Sequence, residues 1–301
     1  MFRHEALLYD GADDFLAGAL SFIRDGLAAG EPVLVAVDAE KMQALRDALG
    51  LDAERVEFED MAVVGHNPAR IIPAWREFAD AHPGPIRGIG EPIWPGRSGT
   101  ELVECQIHES LLNLAFADRP DFQLLCPYDT SALADGVIHE ARCSHPTVDG
   151  EPSRAYRDAA SLLEPFDSPL APPPATARIL GFEIDTIYEV RRLVESVARR
   201  AGLPPEREQD LVLAAGELAG NSIRHGGGRG IVRVWRTDTA VVCEVRDRGH
   251  IADPLAGRVR PSAEQLTGRG LWLANAVCDL VQIRSSRQGT AVRLHISLSG
   301  S

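Results

Sequence analysis

Short apolar runs alternate with longer stretches of helical period through the first 150 residues. Residues 6–9 form an apolar run of strand length. Residues 13–29 follow, with Phe15, Leu16, Ala19, Phe22, Ile23 and Leu27 at the spacing of one helical face. The alternation repeats: a strand at 33–37 before a helix at 40–49, 55–58 before 68–80, 85–93 before 101–117, and 122–126 before 131–142. Five strand–helix repeats predict a doubly wound, mostly parallel α/β sheet.

The order changes in the second half. Residues 178–184 predict a strand, 186–201 a helix closed by Gly202 and Pro204, and 206–224 a second helix. Residues 231–236 and 241–246 predict a hairpin turning at 237–239. A polar loop at 250–267 precedes a helix at 271–278, and 281–285 with 291–296 make a closing hairpin. This pattern predicts an α/β sandwich, a mixed sheet with helices on one face. Between the halves, residues 165–174 contain five prolines, which suit a stiff extended spacer and no helix or central strand. The expected organisation is a front domain at 1–164, a linker at 165–175 and a back domain at 176–301.

Composition prunes the chemistry. Lys41 is the only lysine, against 30 arginines. A P-loop needs a lysine behind its glycines, a eukaryotic-type protein kinase needs one on a strand, and a Schiff-base enzyme needs one as nucleophile. Lys41 follows Asp38-Ala39-Glu40 with no glycine loop, so none of the three is expected. Residues 1–150 hold 11 basic and 26 acidic residues, a net of −15, and the remainder is near neutral at +2. An acidic front half argues against nucleic acid or an anionic membrane as direct partner. Five cysteines, Cys105, Cys126, Cys143, Cys243 and Cys278, are odd in number and never spaced as CxxC, which suits reduced, buried thiols. With no long apolar run and no signal-like start, the expected location is the cytoplasm.

Three local features of the back half carry candidate chemistry. Glu217 and Asn221 lie four apart on the 206–224 helix, on one face, where a carboxylate and an amide oxygen suit a base and a Mg²⁺ ligand. Alone, such a pair also describes a solvated helix edge. Asp247-Arg248-Gly249 ends a strand; the carboxylate can accept from an exocyclic amine such as that of adenine, and alone the same residues make a turn. Thr267-Gly268-Arg269-Gly270-Leu271 opens a helix, whose free N–H groups can bind phosphate without a lysine.

Together, in this order and at separations of 26 and 21 residues, these features resemble the GHKL (Bergerat-fold) ATPase superfamily over roughly residues 183–298. Glu217-Leu218-Ala219-Gly220-Asn221 resembles its N box, Asp247-Arg248-Gly249 its first glycine box and Gly268-Arg269-Gly270 its second. The run Asn221-Ser222-Ile223-Arg224-His225-Gly226 and the compact body resemble the anti-sigma serine/threonine kinases of the RsbW and SpoIIAB type. The resemblance implies ATP and Mg²⁺ as cofactors. It implies Asn221 as Mg²⁺ ligand, Glu217 as general base, and Asp247 with Gly249 at the adenine. It places Gly268, Gly270 and Leu271 at the phosphates, with Thr267 and Arg269 as helpers. The implied partners are an anti-anti-sigma (STAS-type) protein and a sigma factor, and such kinases often form homodimers. A non-catalytic ATP-switched binding module and an orphan histidine kinase-like protein are the competing readings. His225 is expected as a helix-end packing residue.

Gly90-Glu91-Pro92-Ile93-Trp94-Pro95-Gly96 and Cys126-Pro127-Tyr128-Asp129-Thr130 resemble the MEDS sensory domain, which is similar to a degenerate RecA/KaiC-like fold and occurs in RsbA-like regulators. This implies reception of an unknown small-molecule or protein signal rather than ATP hydrolysis. The carboxyl ends of the strands are where a doubly wound sheet binds ligands, so Asp38, His66, Glu91, Trp94, Tyr128 and Asp129 are the candidates there. His108-Glu109 and His139-Glu140 begin like HExxH but lack the second histidine, and both are expected on helix surfaces.

Overall fold

A computed structural model describes residues 2–158, 161, 169–261 and 268–298. The chain forms two compact units, Met1–Pro165 and Phe166–Ser301. Part of the expected linker, residues 165–168, lies outside the described residues.

In the front unit β1 (Arg3–Tyr9), α1 (Ala12–Ala29), β2 (Val33–Val37), α2 (Ala39–Leu49), β3 (Val56–Asp60), the short α3 (Met61–Val64), α4 (Ile71–Ala81), β4 (Ile86–Gly90), α5 (Gly99–Ala115), β5 (Phe122–Asp129) and α6 (Asp135–Ser144) follow in turn. The sheet order is β3-β2-β4-β5-β1-β6-β7, where β6 (Thr147–Val148) and β7 (Glu151–Pro152) form a small antiparallel edge that the apolar pattern did not predict. The other five pairings are parallel. Helices cover both faces. Gly18 of α1 packs on Leu7 of β1, whereas His4, at an odd separation on the same strand, meets Glu109 of α5. Gly88 and Gly90 of β4 leave room for the Trp75 ring of α4, since a Cβ at either position would come within 2.8 Å of it. The doubly wound expectation is borne out.

The back unit has β8 (Arg178–Glu183), α7 (Ile187–Ala201), α8 (Pro205–His225), β9 (Arg229–Arg236), β10 (Ala240–Asp247), α9 (Arg269–Val277), β11 (Leu280–Ser286) and β12 (Gly289–Ser297). Its sheet runs β11-β12-β10-β9-β8. Every described pairing is antiparallel, where a mixed sheet was expected. β9–β10 and β11–β12 are hairpins, β8 and β9 are joined through the α7–α8 pair, and the β10–α9–β11 crossover leaves a place between its two strands that β12 fills antiparallel to both. Val232 and Val234, Val241, Cys243 and Val245, and Val292, Leu294 and Ile296 alternate towards the helices and bury Val190, Val194, Leu211, Ala215 and Leu218. The opposite face holds the fully buried Glu244 between Arg233, Arg246 and Arg293. Arg293 also donates to the Ala171 carbonyl (2.6 Å), which draws that proline-flanked segment across this face.

All five cysteines are free and buried, as expected. Lys41 has a role that composition alone did not reveal. Its Nζ donates to both oxygens of the buried Glu91 (2.8 and 2.7 Å), Tyr9 donates its hydroxyl to the same carboxylate (2.7 Å), and the Tyr9 and Phe15 rings flank the ammonium. Burial alone would lower the Lys41 pKa, but the Glu91 charge outweighs it and the pKa is raised. Removing one partner of such a pair strands the other charge in a poor solvent. Lys41→Met is therefore expected to cost the front unit about 3 kcal/mol. Lys41→Met with Glu91→Leu should recover most of it in urea titrations of the full chain.

Candidate nucleotide site

The back unit has a cavity of about 540 Å³ between α8, the end of β10, the 248–261 segment and the start of α9. That is the size of a small-molecule or nucleotide site. The residues singled out from the sequence converge on it. Asn221, Asp247, Gly249, Gly268 and Leu271 line the cavity. Glu217 and Gly270 stand at its edge: a Cβ on Gly270 would lie 2.9 Å from Asn221 Nδ2 and 3.3 Å from Glu217 Oε2. The glycine is what lets the first turn of α9 approach the Glu217–Asn221 face of α8. Arg269 is exposed at the start of α9 and does not line the cavity, and Thr267 lies outside the described residues.

Asp247 forms the polar floor. Its Oδ2 accepts from the buried Ser222 hydroxyl at 2.6 Å, and its Oδ1 accepts from the Gly249 N–H at 2.7 Å. Two glycines make this possible. A Cβ on Gly226 would sit 2.4 Å from the Asp247 carboxyl carbon, and one on Gly249 would sit 2.8 Å from the His225 carbonyl oxygen. The Gly226 carbonyl then accepts from Arg248 N (3.3 Å), so the end of α8 is laced to the strand end beside it. Each carboxylate oxygen keeps a further acceptor site for a ligand donor. Thr290 of β12 donates to the Gly249 carbonyl at 2.9 Å and closes the far side.

The phosphate-sized end is made by α9. Gly268 is its N-cap in the left-handed conformation (φ 86°), and no side chain among the described residues caps the helix. The first N–H groups of a nine-residue helix thus point outward with the positive end of its dipole. Asn221 Oδ1 already accepts from the Arg224 guanidinium at 2.9 Å. A second lone pair on that oxygen is available to a hard cation. The donor set therefore fits Mg²⁺ with a polyphosphate: one amide oxygen, an adjacent carboxylate and a bare helix N-terminus.

Several site residues were not legible. Ser222 enters the sequence reading inside the Asn221–Gly226 run, with no role of its own, yet its hydroxyl makes the 2.6 Å bond to Asp247. His225 lies exposed at the helix end and lines the cavity rather than packing beneath a lid. Arg260 lines the cavity and lies over the Trp272 ring (6.0 Å), and Asn275 donates to the Gly257 carbonyl (2.8 Å), tying the 248–261 segment to α9.

The front-unit candidates do not form one site. Asp38 and Glu91 meet through Lys41 at the carboxyl ends of β2 and β4. Trp94 instead stacks under Arg97 (3.7 Å), whose guanidinium also donates to the His66 carbonyl. Asp129 caps a turn at Ser131, and Tyr128 is buried edge-on against His145. The expectation of a surface-lying His108-Glu109 is overturned: both residues are buried, because α5 is covered on more than one side. His139 is exposed, as expected.

Residues 3–146 match the family model of the MEDS domain, the methanogen/methylotroph, DcmR sensory domain, and residues 182–296 match that of the histidine kinase-like ATPase domain. The chain thus joins an N-terminal MEDS sensory domain to a C-terminal histidine kinase-like ATPase domain. No curated protein matches it. Solved structures with similarity include the RsbU and RsbW domains of Rv1364c from Mycobacterium tuberculosis, at 22% identity and a TM-score of 0.33, over 44% of this chain and 34% of that one. Another is the Acinetobacter baumannii histidine kinase AdeS, at 16% identity and a TM-score of 0.24, over 64% of this chain and 94% of that one. The chain spans about a third of the Mycobacterium structure. No helix among the described residues is long and apolar enough to cross a membrane.

Replacing Ser222 by alanine removes one donor from the Asp247 carboxylate. The expected cost is about 2 kcal/mol, read in urea titrations. Gly226→Ala keeps an ordinary backbone angle (φ −97°) but drives a methyl into Asp247. It is expected to displace the carboxylate and abolish binding of a fluorescent adenine nucleotide with little loss of helix content by circular dichroism.

Proposed function

We propose that this protein is a sensor-coupled anti-sigma regulator. Its back domain binds Mg²⁺–ATP and phosphorylates a serine or threonine of a STAS-type anti-anti-sigma partner. The front domain, 1–164, receives the signal, and the linker at 165–175 joins it to the kinase domain at 176–301. Capture of a sigma factor belongs to the same reading. The observation that carries it is the meeting of Glu217 and Asn221 with Gly270 at the bare start of α9, across one cavity from Asp247.

Bound Mg²⁺–ATP supplies the transferable phosphoryl group and neutralises its charge. The chain supplies position and a proton acceptor. Asp247, held by Ser222 and Gly249, accepts from the exocyclic amine of adenine. Asn221 holds the metal through its amide oxygen, which requires Arg224 to share or release that oxygen. The α9 N–H groups from Gly268 to Leu271 hold phosphate oxygens, with Arg269 and Thr267 beside them. Glu217, one turn before Asn221 on the same face, takes the proton from the attacking hydroxyl.

The test uses the full chain, Mg²⁺-[γ-³²P]ATP and a STAS-type substrate protein. Acid-stable label on serine or threonine is expected. Glu217→Gln should lower transfer at least a hundredfold while nucleotide affinity stays within about threefold, and Asp247→Asn should weaken ATP binding itself. Acid-labile label would identify a histidine kinase-like activity. Bound ATP with no transfer, and partner control unchanged in Glu217→Gln, would identify a non-catalytic switch.

A further inference from the structure

The front unit holds a second polar centre, beside the buried Tyr128. His4 comes from β1, Cys126 from the neighbouring β5, Glu109 from α5, and His145 from the residue that ends α6. All four are buried, with at most 1% exposure. One ligand atom from each lies within 4.8 Å of all the others. His4 Nε2 is 3.2 Å from Glu109 Oε2, His145 Nε2 is 3.2 Å from the same oxygen, and Cys126 Sγ is 3.4 Å from His4 Nε2.

The hydrogen bonds behind the rings fix what these atoms present. His145 Nδ1 lies 2.8 Å from the Ala141 carbonyl, which can only accept, so Nδ1 carries the proton. Asn113 spends its NH₂ group on the Ser144 carbonyl (2.8 Å), so its oxygen is the atom 3.2 Å from His4 Nδ1, and that nitrogen is a donor too. As neutral imidazoles, both rings turn an Nε2 lone pair inward, towards a carboxylate and a sulfur. Lone pairs facing a carboxylate repel unless something positive stands between them. His145 Nε2 and Glu109 Oε1 are left without hydrogen-bond partners. Buried polar atoms in that condition call for an occupant.

A dication answers each point. Two neutral imidazoles, one carboxylate and one thiolate around a 2+ ion sum to zero charge, the balance a dry interior favours. Bonds of about 2.0–2.1 Å to nitrogen and oxygen and about 2.3 Å to sulfur give tetrahedral edges of about 3.3–3.6 Å, close to the three separations of 3.2, 3.2 and 3.4 Å given above. Nδ1–H groups tied to a carbonyl and an amide oxygen are the usual outer support of metal-bound histidines. We propose that His4, Glu109, Cys126 and His145 form a closed tetrahedral site for a borderline-soft divalent transition metal, zinc above others, that clamps β1, β5, α5 and α6 together. The Cys126 thiol proton is released to water as the sulfur binds. Sulfur with imidazole excludes Mg²⁺ and Ca²⁺ as the natural occupants.

The test uses the full chain, purified without chelator and gel-filtered. About one zinc per chain is expected by mass spectrometry, with an X-ray absorption edge that requires one sulfur among nitrogen and oxygen neighbours. Co²⁺ substitution should give a thiolate-to-cobalt charge-transfer band and intense tetrahedral d–d bands. Cys126→Ser should abolish the charge-transfer band, and His145→Gln should weaken Zn²⁺ binding at least tenfold against a chromophoric chelator. A folded wild-type chain that takes up neither zinc nor cobalt overturns the proposal. So does an absorption edge without sulfur, or a Cys126→Ser protein with unchanged cobalt spectrum and affinity. The wild-type spectra decide the matter even where a variant fails to fold.

Discussion

The back unit is organised around one carboxylate. Asp247 sits at the end of a central strand, and both its oxygens are taken by neighbours on different elements: Ser222 from α8 and the Gly249 N–H from the chain that follows β10. Its own carbonyl lies so close to Gly289, at the β11–β12 turn, that a Cβ there would come within 2.4 Å. Helix end, strand end and hairpin turn are thus fixed to a single residue. The orientation of α8 follows from this, and with it the direction in which Glu217 and Asn221 face. Charge-assisted bonds in a partly dry site are stronger than their neutral counterparts and hold geometry well. The glycines at 226, 249 and 289 matter here by leaving space rather than by flexibility.

The unusual balance of basic residues acquires a physical meaning in this setting. Arginine acts repeatedly as a planar multi-donor: on Glu244 from three directions, on the Trp94 face, and from Arg207 to both Asp210 and Asp279. A guanidinium suits these places because its fork satisfies several acceptors at once. The one lysine stands where a compact ammonium is needed, between a buried carboxylate and two aromatic faces. Its position between β2 and β4 is that of a strut inside the front unit, which agrees with the absence of a glycine cradle around it.

Local pattern carried the strand–helix order of both halves and the three polar clusters of the back half, because each depends on residues close in sequence. Strand 33–37 and the hairpins were legible from period alone. The edge strands at 147–148 and 151–152 were not, being two residues long and held by pairing with β1 and each other. The grouping of His4, Glu109, Cys126 and His145 was beyond reach for a stronger reason: its members are up to 141 residues apart and meet only when the sheet and two helices are assembled. The surface reading of His108 and Glu109 failed on the same ground. Polarity implies exposure only when a helix has a free side, and the residues buried on α5 include Glu104, His108, Glu109 and Ser110 as well as its leucines. Ser222 was hidden for the converse reason, as a small residue that completes an apolar stripe while its hydroxyl bonds elsewhere.

The two polar centres differ in how they meet the cost of burying unlike groups. In the back unit Asp247 and Asn221 each accept from donors of the chain, and what remains is directional capacity facing an open cavity: spare lone pairs on both and the start of α9. Such a site can take and release a ligand without unfolding, because its own bonds survive the exchange. In the front unit two imidazoles, a carboxylate and a thiol converge within 4.8 Å of one another, all of them buried. Burial to 0–1% exposure makes rapid exchange there incompatible with a closed fold. The first arrangement suits turnover of a nucleotide. The second suits an occupant acquired with the fold and retained by it, so the front unit's stability and the charge state of Cys126 are set together.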